Sequence, residues 1–274
     1  MQAGAIMGDT AGRPCTVSVV SHGQGTLVER LLTDLMAMSS PSIDQVLVTR
    51  NLPHDRIRLP DRLPFPVRFI DNPTPRGFGA NHNGALAGCA SPWFAVLNPD
   101  LRLREDPFGP LLAEARPDTA LLCPLVLEAD GREADAAREL PTPRRLLLRA
   151  LERHGIRKAS PVGNPASAEW FAGMFMLLRS QALRGVGGFD ERYFMYCEDV
   201  DLCARLRLSG WKLQQVRGAS VVHEAQRASR RSARHLRWHL ASLARLWASP
   251  VFSRYRALLE AERRADPAHR MAQG

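Results

Sequence analysis

Residues 187–210 read GGFDERYFMYCEDVDLCARLRLSG. The stretch sets Glu198, Asp199 and Asp201 in the first turn of a predicted helix, with Leu202 and Leu206 four apart on one face and Gly210 placed to end it. Acids favour helix N-termini, where they complement unpaired N–H groups and the macrodipole. One or two would meet that demand. Three acids behind Tyr193, Phe194 and Tyr196 describe a semi-buried cleft wall instead, where desolvation raises a carboxylate pKa and makes a usable general base.

Working upstream, residues 93–103 read WFAVLNPDLRL. Residues 93–97 are a short buried strand by composition, so Asn98, Pro99 and Asp100 fall at its carboxyl end, where open α/β sheets bind ligands. An Asp there can hold a hard divalent cation while leaving positions for phosphate oxygens. Asn-Pro-Asp is also an ordinary turn tripeptide. Further upstream, residues 71–88 read DNPTPRGFGANHNGALAG. This segment follows the apolar run 67–70 and leads through Gly77 and Gly79 into a small-residue helix expected from about Ala80. Glycines at such a corner let backbone approach a ligand closely. The segment is neither a G-x-G-x-x-G fingerprint nor a Walker A loop. His82, between two Asn, reads as a hydrogen-bonding structural residue more readily than as a ligand.

Taken in order, GFGANHNGA at 77–85, LNPD at 97–100, WFAGMFMLLR at 170–179, GGFDERYFMYCEDVDLCARL at 187–206 and VVHEAQRAS at 221–229 resemble the family 2 inverting glycosyltransferases, in their bacterial rhamnosyltransferase-like branch. The resemblance spans about residues 16–229. It implies a GT-A fold, Rossmann-like, with a mixed, mostly parallel sheet flanked by helices. It also implies a nucleotide-diphosphate-sugar donor and a single displacement with inversion at the anomeric carbon. On that pattern Asp100 is the ligand to Mg2+ or Mn2+, with Asn98 replacing an acid, and His223 completes the metal shell. As a residue type alone, His223 reads equally well as a strand-end histidine. Asp199 matches the general base, with Glu198 and Asp201 supporting it, and Trp170 and Gly173 match the acceptor-side floor. The donor side takes in Ser21, His22, Asn51, Gly77, Gly79, Asn81 and Asn98.

One position departs from the pattern. Residues 45–53 read QVLVTRNLP, with Arg50 where the family has the Asp that contacts the nucleobase, and with Asn51 retained. Arg50 can meet a phosphate, stack on the base or be solvated. This departure keeps open a non-catalytic GT-A-shaped scaffold protein in polysaccharide assembly. The intact acidic cluster argues against that reading. A nucleotidyltransferase would need a Gly-rich, Lys/Arg-bearing N-terminal loop that residues 20–26 lack.

With 274 residues, 45% of them hydrophobic, the chain can bury a large core as one α/β domain with an appendage. Apolar runs at 16–20, 45–49, 93–97 and 119–127 have strand length and are separated by helical patterns, as a mostly parallel sheet requires. The expected division is a disordered 1–14, a GT-A domain over 15–226 and a basic helical extension over 227–274. No run reaches the length of a membrane span, and residues 1–14 lack the features of a signal peptide. Five cysteines without paired metal spacing read as reduced thiols of a cytosolic protein. Residues 136–168 form a Pro- and Arg-rich connector with one short helix around Arg145–Arg153.

The tail from Arg227 carries eleven arginines against three acids, +8 of the chain's +9. Leu236, Leu240, Leu243 and Trp247 recur there at helical spacing among the arginines. Two readings are balanced: peripheral membrane contact through 230–247, or packing of the apolar stripe on the domain with solvated arginines. No nucleic-acid recognition motif accompanies the charge. The expected function is transfer of a sugar, with dTDP-L-rhamnose as leading donor, to a polysaccharide or lipid-linked glycan. The expected location is the cytoplasmic face of an inner membrane.

Overall fold

The computed structural model describes residues 14–38, 41–60, 62–153, 168–224 and 233–265. Of residues 1–14, expected to be disordered, 1–13 lie outside the described residues, as do the arginines at 227, 230 and 231.

Seven residues, four of them β-branched and the others small, form β1 (Cys15–Ser21), followed by α1 (Gly25–Met38), β2 (Ile43–Arg50) and β3 (Val67–Asp71). Next come α2 (Phe78–Ala87), β4 (Trp93–Leu97), the two-residue β5 (Leu101–Arg102), α3 (Phe108–Ala113) and β6 (Thr119–Glu128). The connector holds β7 (Ala137–Arg138) and α4 (Pro143–Arg153), and leads to β8 (Trp170–Phe171), β9 (Phe175–Arg179) and α5 (Ser180–Gly185). The chain closes with α6 (Glu198–Leu208), β10 (Lys212–His223), α7 (Ala233–Ala248) and α8 (Pro250–Ala265).

Eight strands form one sheet in the order β3-β2-β1-β4-β9-β6-β10-β5, and β7 pairs β8 separately. β3, β2, β1 and β4 are parallel, as are β6 and β10, while β9 runs antiparallel between β4 and β6. The mostly parallel α/β sheet expected from the apolar runs is therefore present, and both its faces are covered. Phe94 and Val96 point to a layer containing α2, α5, α6 and α8, and Ala95 and Leu97 to one containing α1 and α3. This two-sided burial is why the central strands read as continuous apolar runs.

Chain order reverses direction across the sheet at β1 and β4, which opens a crevice at their carboxyl ends. Ser21 and His22 end β1, and Asn98 follows β4. β10 pairs antiparallel with β5, His223 opposite Leu101, which brings His223 to the same edge as Asp100.

One local expectation is corrected, and the glycine-rich corner has a packing role beside the one expected of it. α2 starts at Phe78 rather than near Ala80, because Phe78 N donates to the carbonyl of Phe194 at 2.9 Å and begins the helix earlier. Gly77 and Gly79 are required by packing in their own right. A Cβ on Gly77 would lie 2.6 Å from the Phe194 carbonyl oxygen, and one on Gly79 would lie 2.6 Å from Phe189 Cβ. α2 therefore seats directly on the 189–194 loop that precedes α6. The apolar tail breaks at Ser249 into two helices; α8 packs Phe252, Tyr255 and Leu259 into the core against α6. Among the described residues no helix is long and apolar enough to cross a membrane, and the five cysteines are buried and unbridged.

Candidate active site

α6 begins at an unusual corner. Tyr196 and Cys197, neither a glycine, both hold positive φ, at 74° and 66°. Such conformations are uncommon for side chains bearing Cβ and collect at functional turns. Cys197 offers no side-chain cap. Three acids in the first turn instead complement the helix N-terminus, and Asp199 Oδ1 accepts from Val200 N at 2.9 Å. Gly210, at φ 84°, follows the last turn as the sequence requires.

Each acid has a different environment. Asp199 Oδ2 accepts from Gly173 N at 3.0 Å, so the carboxylate is held from two sides with lone pairs to spare. Burial pushes its pKa up, opposed by those backbone donors and by the charge of Arg138. Glu198 is buried, its Oε2 has no hydrogen-bond partner, and burial beside Asp199 raises its pKa well above the usual range. The two carboxyl groups disfavour each other's ionisation.

Asp201 is turned elsewhere. Its Oδ2 accepts from Arg205 Nε at 2.7 Å, and Arg205 Nη1 donates to the carbonyls of Val186 and Gly188 at 2.6 and 2.7 Å. The pair pins the Gly187–Gly188 turn to α6. Removing one member of a buried ion pair strands the other, at a cost of about 3–5 kcal/mol. Asp201→Ala is therefore expected to lower stability by that order in chemical denaturation. Transfer per folded molecule should be retained, and a selective loss of transfer would assign Asp201 to the chemistry after all.

From Gly173 the backbone continues to the second acidic point. Met174 O accepts from Asn98 N at 2.9 Å, so a two-residue bridge joins the Asp199 side to Asn98, Pro99 and Asp100. Asp100 Oδ2 lies 3.2 Å from His223 Nε2, while its Oδ1 is buried without a partner. A buried orphaned carboxylate oxygen beside an imidazole nitrogen fits a divalent cation that takes its other ligands from phosphate and water. Among the described residues there is no group of three or more His, Cys, Asp or Glu side chains arranged to hold a metal.

A side-chain amide network lies at the ends of β1, β2 and β3, where the sequence puts the donor side. Asn51 Oδ1 accepts from Asn72 Nδ2 at 2.8 Å and Arg76 N at 2.8 Å, and its Nδ2 donates to Arg76 O at 2.9 Å and faces His22 Nδ1 at 3.2 Å. Asn81 joins through Asn72 at 2.6 Å. Ser21 Oγ accepts from Gln24 N and shapes the loop after β1. Asn72 and Arg76, absent from the sequence-based set, lie within the quoted 71–88 segment; their signal is their position after a strand. His82 is structural, its Nδ1 2.8 Å from Ser18 Oγ, and burial pushes its pKa down to about 3. Trp170 is buried and donates from Nε1 to the Glu139 carbonyl, beneath Arg138.

Arg50 is held in a partly exposed ion pair at the sheet edge. Asp71, its register partner on β3, takes it in two hydrogen bonds of 2.5 and 2.7 Å, and its guanidinium lies over the Phe69 ring. The departure at position 50 therefore brings its own carboxylate. The pair borders an open cavity of about 530 Å3 between Leu52, Pro53 and Pro73.

No protein-family model matches the chain. It is 31% identical over 256 residues to the N-acetylglucosaminyl-diphospho-decaprenol L-rhamnosyltransferase of Mycobacterium tuberculosis (strain CDC 1551 / Oshkosh), covering 81% of this chain and 80% of that protein. It is 28% identical over 243 residues to the rhamnosyltransferase WbbL of Escherichia coli K12, covering 84% and 90%. In fold it is similar to the mannosyltransferase PcManGT of Pyrobaculum calidifontis, solved with GDP-Man and Mn2+, at a TM-score of 0.56 and 16% identity over 92% of this chain and 78% of that one. Similarity to a rhamnosyltransferase over four-fifths of both chains carries more than fold, and on it the chain belongs to the family 2 glycosyltransferases of GT-A fold, in their bacterial rhamnosyltransferase-like branch.

Proposed function

We propose that this glycosyltransferase performs a metal-assisted, inverting single displacement with Asp199 as general base and with Asp100 and His223 as the protein's metal ligands. The observation that carries the reading is the pairing of two acid sites through Gly173 and Met174, one raised in pKa by burial and one with an orphaned buried oxygen. Asp199, held by Gly173 N and Val200 N, takes the proton of the acceptor hydroxyl as its oxygen bonds to the anomeric carbon. The bond from that carbon to the diphosphate breaks on the opposite face, and the nucleoside diphosphate leaves with the electron pair. A bound divalent cation would supply charge stabilisation to the leaving diphosphate. Asn51, Asn72, Asn81 and Arg76 hold the donor wall, and Gly173 and Trp170 support the acceptor side.

The donor in this reading is a nucleotide-diphosphate sugar, with dTDP-L-rhamnose first because both curated relatives named above are rhamnosyltransferases. The acceptor is a lipid-linked glycan, because one of them is named for a diphospho-decaprenol substrate. Work on such an acceptor puts the enzyme at the cytoplasmic face of an inner membrane. The test is calorimetric titration with dTDP-L-rhamnose, UDP-sugars and GDP-sugars, each with and without Mn2+ or Mg2+. Metal-dependent binding of dTDP-L-rhamnose above the others is expected. Preference for another base overturns the donor, and binding indifferent to metal overturns the Asp100–His223 assignment.

A further inference from the structure

The apolar stripe of α7 runs off the edge of the domain. Leu236, Leu240, Leu243 and Trp247 follow one another at helical spacing, yet the two halves of the stripe meet different surroundings. Leu243 is buried, and Trp247 packs on the core and donates from Nε1 to the Pro141 carbonyl. Leu236 and Leu240 are 61% and 59% exposed. Ala233, Ala241 and Ala244 are exposed beside them, with Arg234, Arg237 and Arg245. α7 contains no acidic residue.

This half of the helix is bolted in place. Trp238 packs on Phe194, itself 36% exposed, with ring centroids 4.8 Å apart. His235 Nδ1 lies 2.8 Å from the Tyr196 hydroxyl, and Ser242 Oγ donates to the Met195 carbonyl. The exposed leucines are therefore fixed beside the 193–197 loop that leads into Glu198 and Asp199, at the rim of the cleft.

We propose that the first two turns of α7, with Leu236 and Leu240 as anchors, seat on the headgroup region of an anionic phospholipid bilayer. Charge complementarity selects this occupant. A helix with exposed leucines, flanking arginines and no acid lies in a membrane interface, with its apolar face in the acyl boundary and its arginines on the lipid phosphates. Only the N-terminal half of the stripe is available for this, the other half being used by the core. The two readings of the tail, membrane contact and packing on the domain, each apply to half of one helix. Such seating would give the lipid-linked acceptor a route into the cleft, and it rests on the reading above for its purpose alone.

The test is co-sedimentation of the full chain with phosphatidylcholine vesicles, with and without phosphatidylglycerol. The protein is expected to pellet with the anionic vesicles, less so as salt is raised. Leu236→Ser with Leu240→Ser should lower the partition coefficient by about tenfold or more, and Arg237→Gln by a few-fold, with thermal midpoints unchanged because these side chains are exposed. The proposal is overturned if the native chain stays in the supernatant with both vesicle types. It is overturned equally if the double variant pellets like the native chain, or if the native chain is a dimer that the double variant dissolves. Donor titration on the same proteins keeps the two readings apart: failure of vesicle binding with donor binding intact removes only the docking surface. Failure of donor binding with vesicle binding intact removes only the mechanism.

Discussion

Asp199→Asn is expected to lower the transfer rate by about 10^2–10^4-fold, the usual contribution of a positioned general base, while donor affinity changes little. The amide keeps the shape, but its NH2 cannot accept, so only one of the bonds from Gly173 N and Val200 N survives; the 173–174 bridge is still held by Asn98 N donating to the Met174 carbonyl. What it loses is the ability to take a proton. The pH dependence follows from the direction of the shift. Burial raises the Asp199 pKa, and the base must be ionised to act, so the native rate should fall with decreasing pH earlier than it would for an aspartate at the ordinary value of about 3.9. Stability runs the other way. For Glu198 and Asp199, whose folded pKa values lie above the unfolded ones, the favourable contribution is complete below the unfolded values and is lost as pH rises through the folded ones. Asp199→Asn therefore removes a buried charge but gives up one backbone hydrogen bond, so its thermal midpoint at neutral pH should lie near that of the native chain. Steady-state transfer across pH, beside thermal midpoints of both proteins, checks the pair of expectations. Near-normal turnover of the variant would remove the base assignment.

How much of this site could be read beforehand depends on how local each feature is. The acid helix was legible because its three acids, its leucine spacing and its terminal glycine fall within one short segment. The sheet was legible for a similar reason: strands buried on both faces read as unbroken apolar runs. The roles of Gly77 and Gly79 were not, since what they avoid, Phe194 and Phe189, lies more than a hundred residues away. The same holds for Arg50. As a residue type at a strand end it admitted a phosphate, a base or solvent, and only the register of β2 against β3 shows Asp71 beside it. Arg50 therefore stops being a reason to doubt a working donor site. Among the three acids, the sequence places Asp201 in the same turn as Asp199. Helical geometry then directs it along α6 to Arg205, four residues on, and away from Gly173.

Asp100→Ala is expected to abolish the metal-dependent part of donor binding and to lower transfer by about 10^2-fold or more, on the scale of losing one strong electrostatic stabiliser of a leaving group. An unfolding defect does not supply the same result. Asp100 Oδ1 has no hydrogen-bond partner, and Oδ2 faces only His223 at 3.2 Å, so deleting the carboxylate removes little that holds the fold. Its own backbone carbonyl still accepts from Glu224 N, and β5 still pairs with β10. The thermal midpoint should thus be unchanged or higher while activity collapses, which is the signature of a functional carboxylate rather than a structural one. His223→Ala should show the same pattern more weakly, because a neutral imidazole contributes a ligand without a compensating charge. Calorimetric titration of the native chain and both variants with the donor, before and after chelation, separates the cases. If chelation leaves native donor affinity unaltered, the orphaned oxygen of Asp100 needs another occupant, and the amino groups of a donor or acceptor sugar are the next chemistry to try.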